Sequence, residues 1–239
     1  MPSISRFLLD TPLAGPGAYV LGRQESHHAI SVLRHRLDDA VIVFDGQGRY
    51  ADAVITDVQR DAVAVRVDVV RDEEHLPLFL TIATAIPKGK RWQVLVEKCT
   101  ELGVDRIIPI HTIRGVAKGE GDLGKWRRWV VEAAKQSRRA WLPEIIEPLP
   151  FAKALDMARG EGAFLLVADP AGEPPQNYRG QLSGCSRVTA IIGPEGGFAD
   201  AELEECRARG VHGICLSPFI LRIETAAAAV CAIVREMLL

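Results

Sequence analysis

No apolar run in this 239-residue chain approaches the roughly 20 residues of a membrane helix. The opening stretch, MPSISRFLLD, lacks the basic segment and long apolar core of a secretory signal. Cysteine is sparse. Cys99, Cys185, Cys206, Cys215 and Cys231 are scattered and odd in number, and none forms a CxxC pair. That usage argues against a disulfide framework and a structural zinc site; it fits a reduced, cytoplasmic protein whose cysteines fill the core. The familiar chemistry-bearing loops are missing as well. There is no GxGxxG, no GxxxxGK[ST], no GxSxG elbow and no HExxH. His27 and His28 are adjacent, so one metal cannot take both from a helix, and no metal is expected. Neither sign of charge dominates: 29 basic against 31 acidic residues give a net charge of −2. A chain basic overall, of the kind that coats nucleic acid, is thereby excluded.

What is present is charge in clusters. PKGKRW groups Lys88, Lys90 and Arg91. KWRRWVVEAAKQSRR carries Lys125, Arg127, Arg128, Lys135, Arg138 and Arg139 against the single acid Glu132. A basic face on a near-neutral protein attracts a polyanion locally, although any one such run is as readily a solvated helix face.

Hydropathy divides the chain in two. AYVLG, AVIVFDGQGRYADAVITDV and AVAVRVDVV alternate at a period of two, with DGQG as a hairpin turn. One helix interrupts them. SHHAISVLRHRL is expected to start at Ser26 as its cap and to align Ile30, Leu33 and Leu37, with Arg34, His35 and Arg36 clustered on it. Short strands with one helix predict a small barrel. RDEEHLP, at 71–77, is the candidate linker. Beyond it LFLTIATAI, RIIPIHT, AFLLVAD, RVTAII and HGICLS alternate with helical patterns. Alternating β and α units predict an α/β domain with a mostly parallel sheet covered on both faces. The expected domains are 1–72 and 76–239.

Two loops stand out. IIGPEGGF runs from a buried strand into Gly193, Pro194, Glu195, Gly196 and Gly197. A carboxylate at its centre disfavours phosphate and suits a neutral or cationic ligand. LSPFILRIETA places Arg222 just before a helix start, where a cation opposes the dipole and does no capping work. Singly, these features are turn geometry and a salt bridge from Arg222 to Glu224 or Glu195. Together, at adjacent strand ends, they favour a ligand site.

IIGPEGGFADAE followed by CLSPFILRIETAAAA resembles the RsmE family, SPOUT-superfamily enzymes that methylate N3 of a uridine in 16S ribosomal RNA. RFLLD, HHAISVLRHRLDDAVIVFDGQG, KGKRWQVLVEKCTELGVDRIIPI and EAAKQSRRAWLPEI resemble further family segments in family order. The resemblance implies an N-terminal PUA-like RNA-binding barrel and a C-terminal domain threaded as a deep trefoil knot. It implies a homodimer, bound S-adenosyl-L-methionine, and small-subunit ribosomal RNA as partner, within a small subunit. Its knot loops map onto Leu166 and Val167, onto Ile192, Gly193, Glu195, Gly196 and Gly197, and onto Leu216, Ser217 and Leu221 as cofactor-binding positions. Arg222 takes the catalytic place. Arg6, Arg34, Lys88, Lys90, Arg91, Arg138 and Arg139 are the expected RNA contacts.

Two departures accompany the resemblance. The family's GPRILRTETA stands here as SPFILRIETA, with Phe219 for an Arg and Ile223 for a Thr, and SRRA at 137–140 replaces SGR. They imply either a phosphate contact offset at Arg138 or Arg139, or a shifted target. Two rival readings stay open at this point: a SPOUT enzyme methylating ribose 2′-O, and a non-catalytic RNA-binding assembly factor.

Overall fold

Period-two burial builds the first sheet. The computed structural model describes residues 4–116 and 121–237. The chain divides into one unit of Met1–His75 with Ala134–Leu142 and a second of Leu76–Ala133 with Pro143–Leu239. In the first unit lie β1 (Arg6–Leu8), β2 (Gly17–Val20), α1 (Arg23–His27), β3 (Ala40–Phe44), β4 (Arg49–Gln59), β5 (Ala62–Val67) and β6 (Arg71–Asp72). The sheet order is β1-β3-β4-β5-β2, with β6 on β4, and only the β1–β3 pair is parallel. Val41 and Val43, then Ala51, Ala53 and Ile55, then Val63, Val65 and Val67 share one core with Phe7 and Leu21. Alternate side chains of a strand face one side, so the sequence alternation becomes this packing.

Two expectations for this unit are corrected. The helix begins at Arg23, not Ser26, and passes into a π-helical turn over His28–Val32. Ser26 is fully buried; its hydroxyl donates to the Leu21 carbonyl and accepts the Val63 amide. Tertiary partners claimed a side chain that would otherwise cap. Arg34 takes the left-handed conformation at φ 59° and ends the turn, leaving Leu33 and Leu37 outside the helix and exposed. Arg71 and Asp72 are not linker but strand, paired with Tyr50 and Arg49.

The hairpin turn DGQG is built as expected from Asp45, whose carboxylate accepts the Gln47 and Arg49 amides. Its outer face is filled by a distant segment. The Gly48 amide donates to the Ala140 carbonyl and the Leu142 amide to the Gly46 carbonyl. A Cβ on Gly48 would lie 2.3 Å from the Trp141 ring, so only glycine fits. Trp141 Nε1 donates to the Glu73 carbonyl. Phe44, Ala134 and Ala140 form a small core beside Tyr50 and Leu142. Lys135 Nζ pairs with Glu25 at 2.6 Å, both side chains about nine-tenths buried.

The second unit contains β7 (Phe79–Ala85), α2 (Arg91–Glu101), β8 (Arg106–His111), α3 (Leu123–Ser137), β9 (Glu144–Ile145), β10 (Leu149–Pro150), α4 (Phe151–Gly160), β11 (Phe164–Glu173), α5 (Arg179–Leu182), β12 (Arg187–Ile192), α6 (Asp200–Ala208), β13 (His212–Ile214) and α7 (Ile223–Glu236). The end of α3 belongs by its contacts to the first unit. All seven strands run parallel in the order β10-β8-β7-β12-β11-β13, with β9 beside β8. The fold is mixed α/β. Phe151, Leu155, Cys206 and Phe198 cover one face of the sheet against Ile108, Leu165, Val167 and Ile191. On α7, Arg235 donates to the carbonyls of Leu78 and Gly103 and pairs with Asp105. Asp105 in turn accepts the Leu80 amide at 2.8 Å, tying the last helix to β7. The cysteines divide: Cys99, Cys206 and Cys231 are buried, but Cys185 and Cys215 are partly exposed and do not fill the core. No helix among the described residues is long and apolar enough to cross a membrane.

Candidate active site

The site lies where three neighbouring parallel strands end. β12, β11 and β13 are adjacent, so the loops leaving their carboxyl ends converge. In an open α/β sheet this edge is where ligands bind. A cavity of about 400 Å³ opens there. It is large enough for a small-molecule ligand, within the roughly 300–1,000 Å³ of such pockets. β11 contributes Ala168, Asp169 and Pro170, just past its pairing with β12, which ends at Val167. The β12 end contributes Ile192 through Phe198. The β13 end contributes Ile214, Leu216, Ser217, Phe219, Ile220 and Leu221, and α7 adds Ile223 and Ala226.

The lining chemistry is selective. Among the described residues, Asp169 and Glu195 are the charged side chains on the wall, with no Lys, Arg or His. Apolar Ile192, Ile214, Leu216, Leu221 and Ile223 make up much of the rest. Apolar walls with two carboxylates fit a partly apolar ligand that carries positive charge. They do not fit a phosphate, which seeks cations or open backbone amides.

The glycines of the loop serve different ends. A Cβ on Gly193 would lie 2.8 Å from the Phe198 ring, so this position is small to admit that ring. Phe198 is buried and packs on Phe151 at 5.4 Å between centroids. Gly197 sits at φ 69° and its amide donates to the Pro194 carbonyl, closing a turn that an L-side chain would strain. Gly196 lines the cavity, with the Arg114 side chain 3.8 Å from where its Cβ would be.

Most of the residues expected at the cofactor come together here. Ile192, Gly193, Glu195, Gly196, Gly197, Leu216, Ser217 and Leu221 all line the cavity. Leu166 and Val167 do not: both are buried within β11, and the lining begins one residue later at Ala168. Asp169 was missed by the sequence reading, though an acid before Pro at the end of an apolar strand was a usable signal. Glu195 pairs with Arg91 at 2.6 Å, not with Arg222, and both partners are over a third exposed. Arg222 caps α7 from outside, exposed, between the cavity-lining Leu221 and Ile223. Glu224 Oε2 is buried with no hydrogen-bond partner, so Arg222 makes no hydrogen bond to it.

The expected RNA contacts do not form one patch within a unit. Lys88 and Lys90 are exposed ahead of α2, and Arg91 is its first residue. Arg6, Arg34, Arg138 and Arg139 belong to the first unit. Arg6 lies over the rings of Phe44 and Tyr50, and burial lowers its pKa, with Glu73 opposing and Arg138 adding to the effect. Arg138 is exposed and held at φ 62°. Arg34 is exposed at the end of the π-helical turn.

Residues 74–235 match the model of an RNA methyltransferase domain, and 21–68 match that of an RNA methyltransferase PUA domain. The ribosomal RNA small subunit methyltransferase E of Synechocystis is 32% identical over 89% of this chain and 71% of its own. The chain belongs to the ribosomal RNA small subunit methyltransferase E family. Its Mycobacterium bovis member is 32% identical over 93% of this chain and 87% of its own. The crystal structure of the Neisseria gonorrhoeae member, bound to S-adenosyl methionine, superposes with a TM-score of 0.86 at 26% identity. That alignment covers 98% of both chains.

Proposed function

We propose that this protein is an S-adenosylmethionine-dependent methyltransferase that modifies N3 of a uridine in 16S ribosomal RNA. The observation that carries the proposal is the cavity where the loops after β12 and β13 meet β11, with two carboxylates and, among the described residues, no basic side chain on its wall, and with Arg222 at its edge. Residues of all three loops would hold the cofactor, and Asp169 and Glu195 would balance its positive charge. When bound, it supplies a sulfonium methyl group that is already electrophilic.

The protein's part is then positioning and charge. N3 lies on the Watson–Crick edge, so the uridine must be unpaired or flipped out. Arg222 orients the base and stabilises charge developing on O2 or O4 as the N3 proton passes to solvent. Ile192, Leu216, Leu221 and Ile223 exclude water around the transfer.

The rest of the reading follows from the same family. Residues 1–72 act as a PUA-like barrel that supplies RNA affinity through Arg6 and Arg34, and 76–239 form the SPOUT domain with its trefoil knot. The match to a PUA-domain model and the convergence of three loops on one edge support this division. The working form is a cytoplasmic homodimer acting on a small subunit. Phe219 and Ile220, 79% and 91% exposed beside the cavity, are apolar surface that a second copy would cover, and all five thiols are free. Mass mapping of methylated nucleosides tests the function. Small-subunit RNA from a strain lacking this protein should lose one N3-methyluridine; an intact set, or loss of a ribose methyl instead, overturns the reading.

A further inference from the structure

A glycine-rich loop is costly to hold in one shape, because glycine loses the most conformational freedom on ordering. Within residues 193–199 one backbone hydrogen bond closes the loop on itself, from the Gly197 amide to the Pro194 carbonyl. Further restraint comes from outside. Arg114 Nη1 donates to the carbonyls of both Gly196 and Phe198, each at 3.1 Å. The Arg114 stem lies against Gly196, in van der Waals range of a Cβ placed there. Beside it, buried Glu202 accepts the Ile113 amide at 2.9 Å with one oxygen and the Ala199 amide at 2.8 Å with the other.

Residues 113 and 114 are therefore fastened to the cavity loop by a guanidinium and a carboxylate. Arg114 is not on the cavity wall, so it reaches a ligand only through the loop. Its own turn faces outward: Ile113 and Val116 are 66% and 52% exposed.

We propose that Arg114 is a positioning residue for the cofactor, acting by holding the Gly196 and Phe198 carbonyls and so the shape of the cavity loop. The proposal rests on the reading of this cavity as the S-adenosylmethionine site. A neutral residue at 114 frees two carbonyls and lets the loop sample shapes that do not bind. Lysine keeps the charge but, as a point donor without the planar fork, restores the hold only in part.

The test uses the full chain with Arg114→Ala and Arg114→Lys. Amide hydrogen exchange is followed at 196–199 without ligand. Binding of S-adenosylmethionine and S-adenosylhomocysteine is measured by calorimetry, and methyl transfer over cofactor concentrations up to saturation. In Arg114→Ala, exchange at these amides should accelerate about tenfold and both dissociation constants should rise about tenfold, the scale of losing hydrogen bonds from a charged donor. The cofactor KM should rise with them while kcat stays near parental, and Lys should fall between. Unchanged exchange, or a lower kcat at unchanged affinity, overturns the proposal. Parental protein that binds neither ligand overturns the cofactor reading instead, and the exchange comparison still decides whether Arg114 holds the loop.

Discussion

Arg91 and Glu195 join the first turn of α2 to the centre of the glycine loop through a 2.6 Å ion pair. Arg91 is thus engaged at the cavity. With both partners over a third exposed, the pair contributes about 0–1 kcal/mol to stability after solvent screening. Its effect should appear in binding. Glu195→Gln and the double variant should weaken cofactor affinity by the same factor and Arg91→Ala by less, because Glu195 both lines the cavity and closes the brace while Arg91 only braces. Calorimetry on the three variants checks this; additive losses would mean that the two residues act separately.

Arg222 should separate catalysis from binding. It is exposed and caps α7 without a side-chain hydrogen bond to the helix, so Arg222→Ala should keep the parental melting temperature and cofactor affinity. Single-turnover methylation should fall by roughly 10²–10³, the cost of one preorganised donor. Arg222→Lys should rescue poorly.

Arg138 offers a backbone test. Its φ of 62° is a left-handed conformation that costs an ordinary residue about 1–2 kcal/mol and glycine nothing. Arg138→Gly should therefore leave unfolding free energy within about 0.5 kcal/mol, since relief of strain offsets added chain freedom. Arg138→Val should cost about 1–2 kcal/mol, because a β-branched residue is strained most there. Urea denaturation reads both. RNA affinity should fall alike in the two variants if the guanidinium contacts phosphate.

Cys206 sets an alkaline limit. Burial, followed by Glu205 and Glu202, raises its pKa from 9.0 to about 11. An acid with a raised folded pKa binds its proton more tightly when folded. The associated stability is fully present below pH 9 and is lost as pH rises through about 11. At about 1.4 kcal/mol per unit the loss amounts to roughly 2–3 kcal/mol. Urea midpoints at pH 8 and pH 11 should diverge less in Cys206→Ala than in the parent.

Periodicity in the sequence located the strands β3, β4 and β5 and the helix α2, each with one repeating apolar side, and unbroken apolar runs located β7, β8 and β12, which are buried on both faces. Local pattern was blind to tertiary claims on single residues. Ser26 has the chemistry of a cap, yet two backbone partners hold it inside the helix. The glycine loop and the Phe219–Leu221 stretch could be read as a site because their residues break the pattern. Asp169 and Arg114 could not be placed so directly: their roles depend on which strand ends meet and on a contact across 82 residues. Gly48 and Trp141 are a further case, one glycine made necessary by a ring far along the chain.

The membership of Ala134–Leu142 in the first unit has a consequence for synthesis. Phe44 and Tyr50 leave the ribosome's exit tunnel long before Ala134, Ala140 and Leu142, their companions in one small core. Glu25 likewise waits for Lys135. At about 5–20 residues per second, the chain from residue 75 to residue 142 takes roughly 3–13 s to make. Through that interval the nascent amino-terminal sheet keeps an open apolar seam, and Glu25 stands without Lys135. A nascent chain in this interval should therefore be more open to holdase chaperones than one from which residue 142 has emerged.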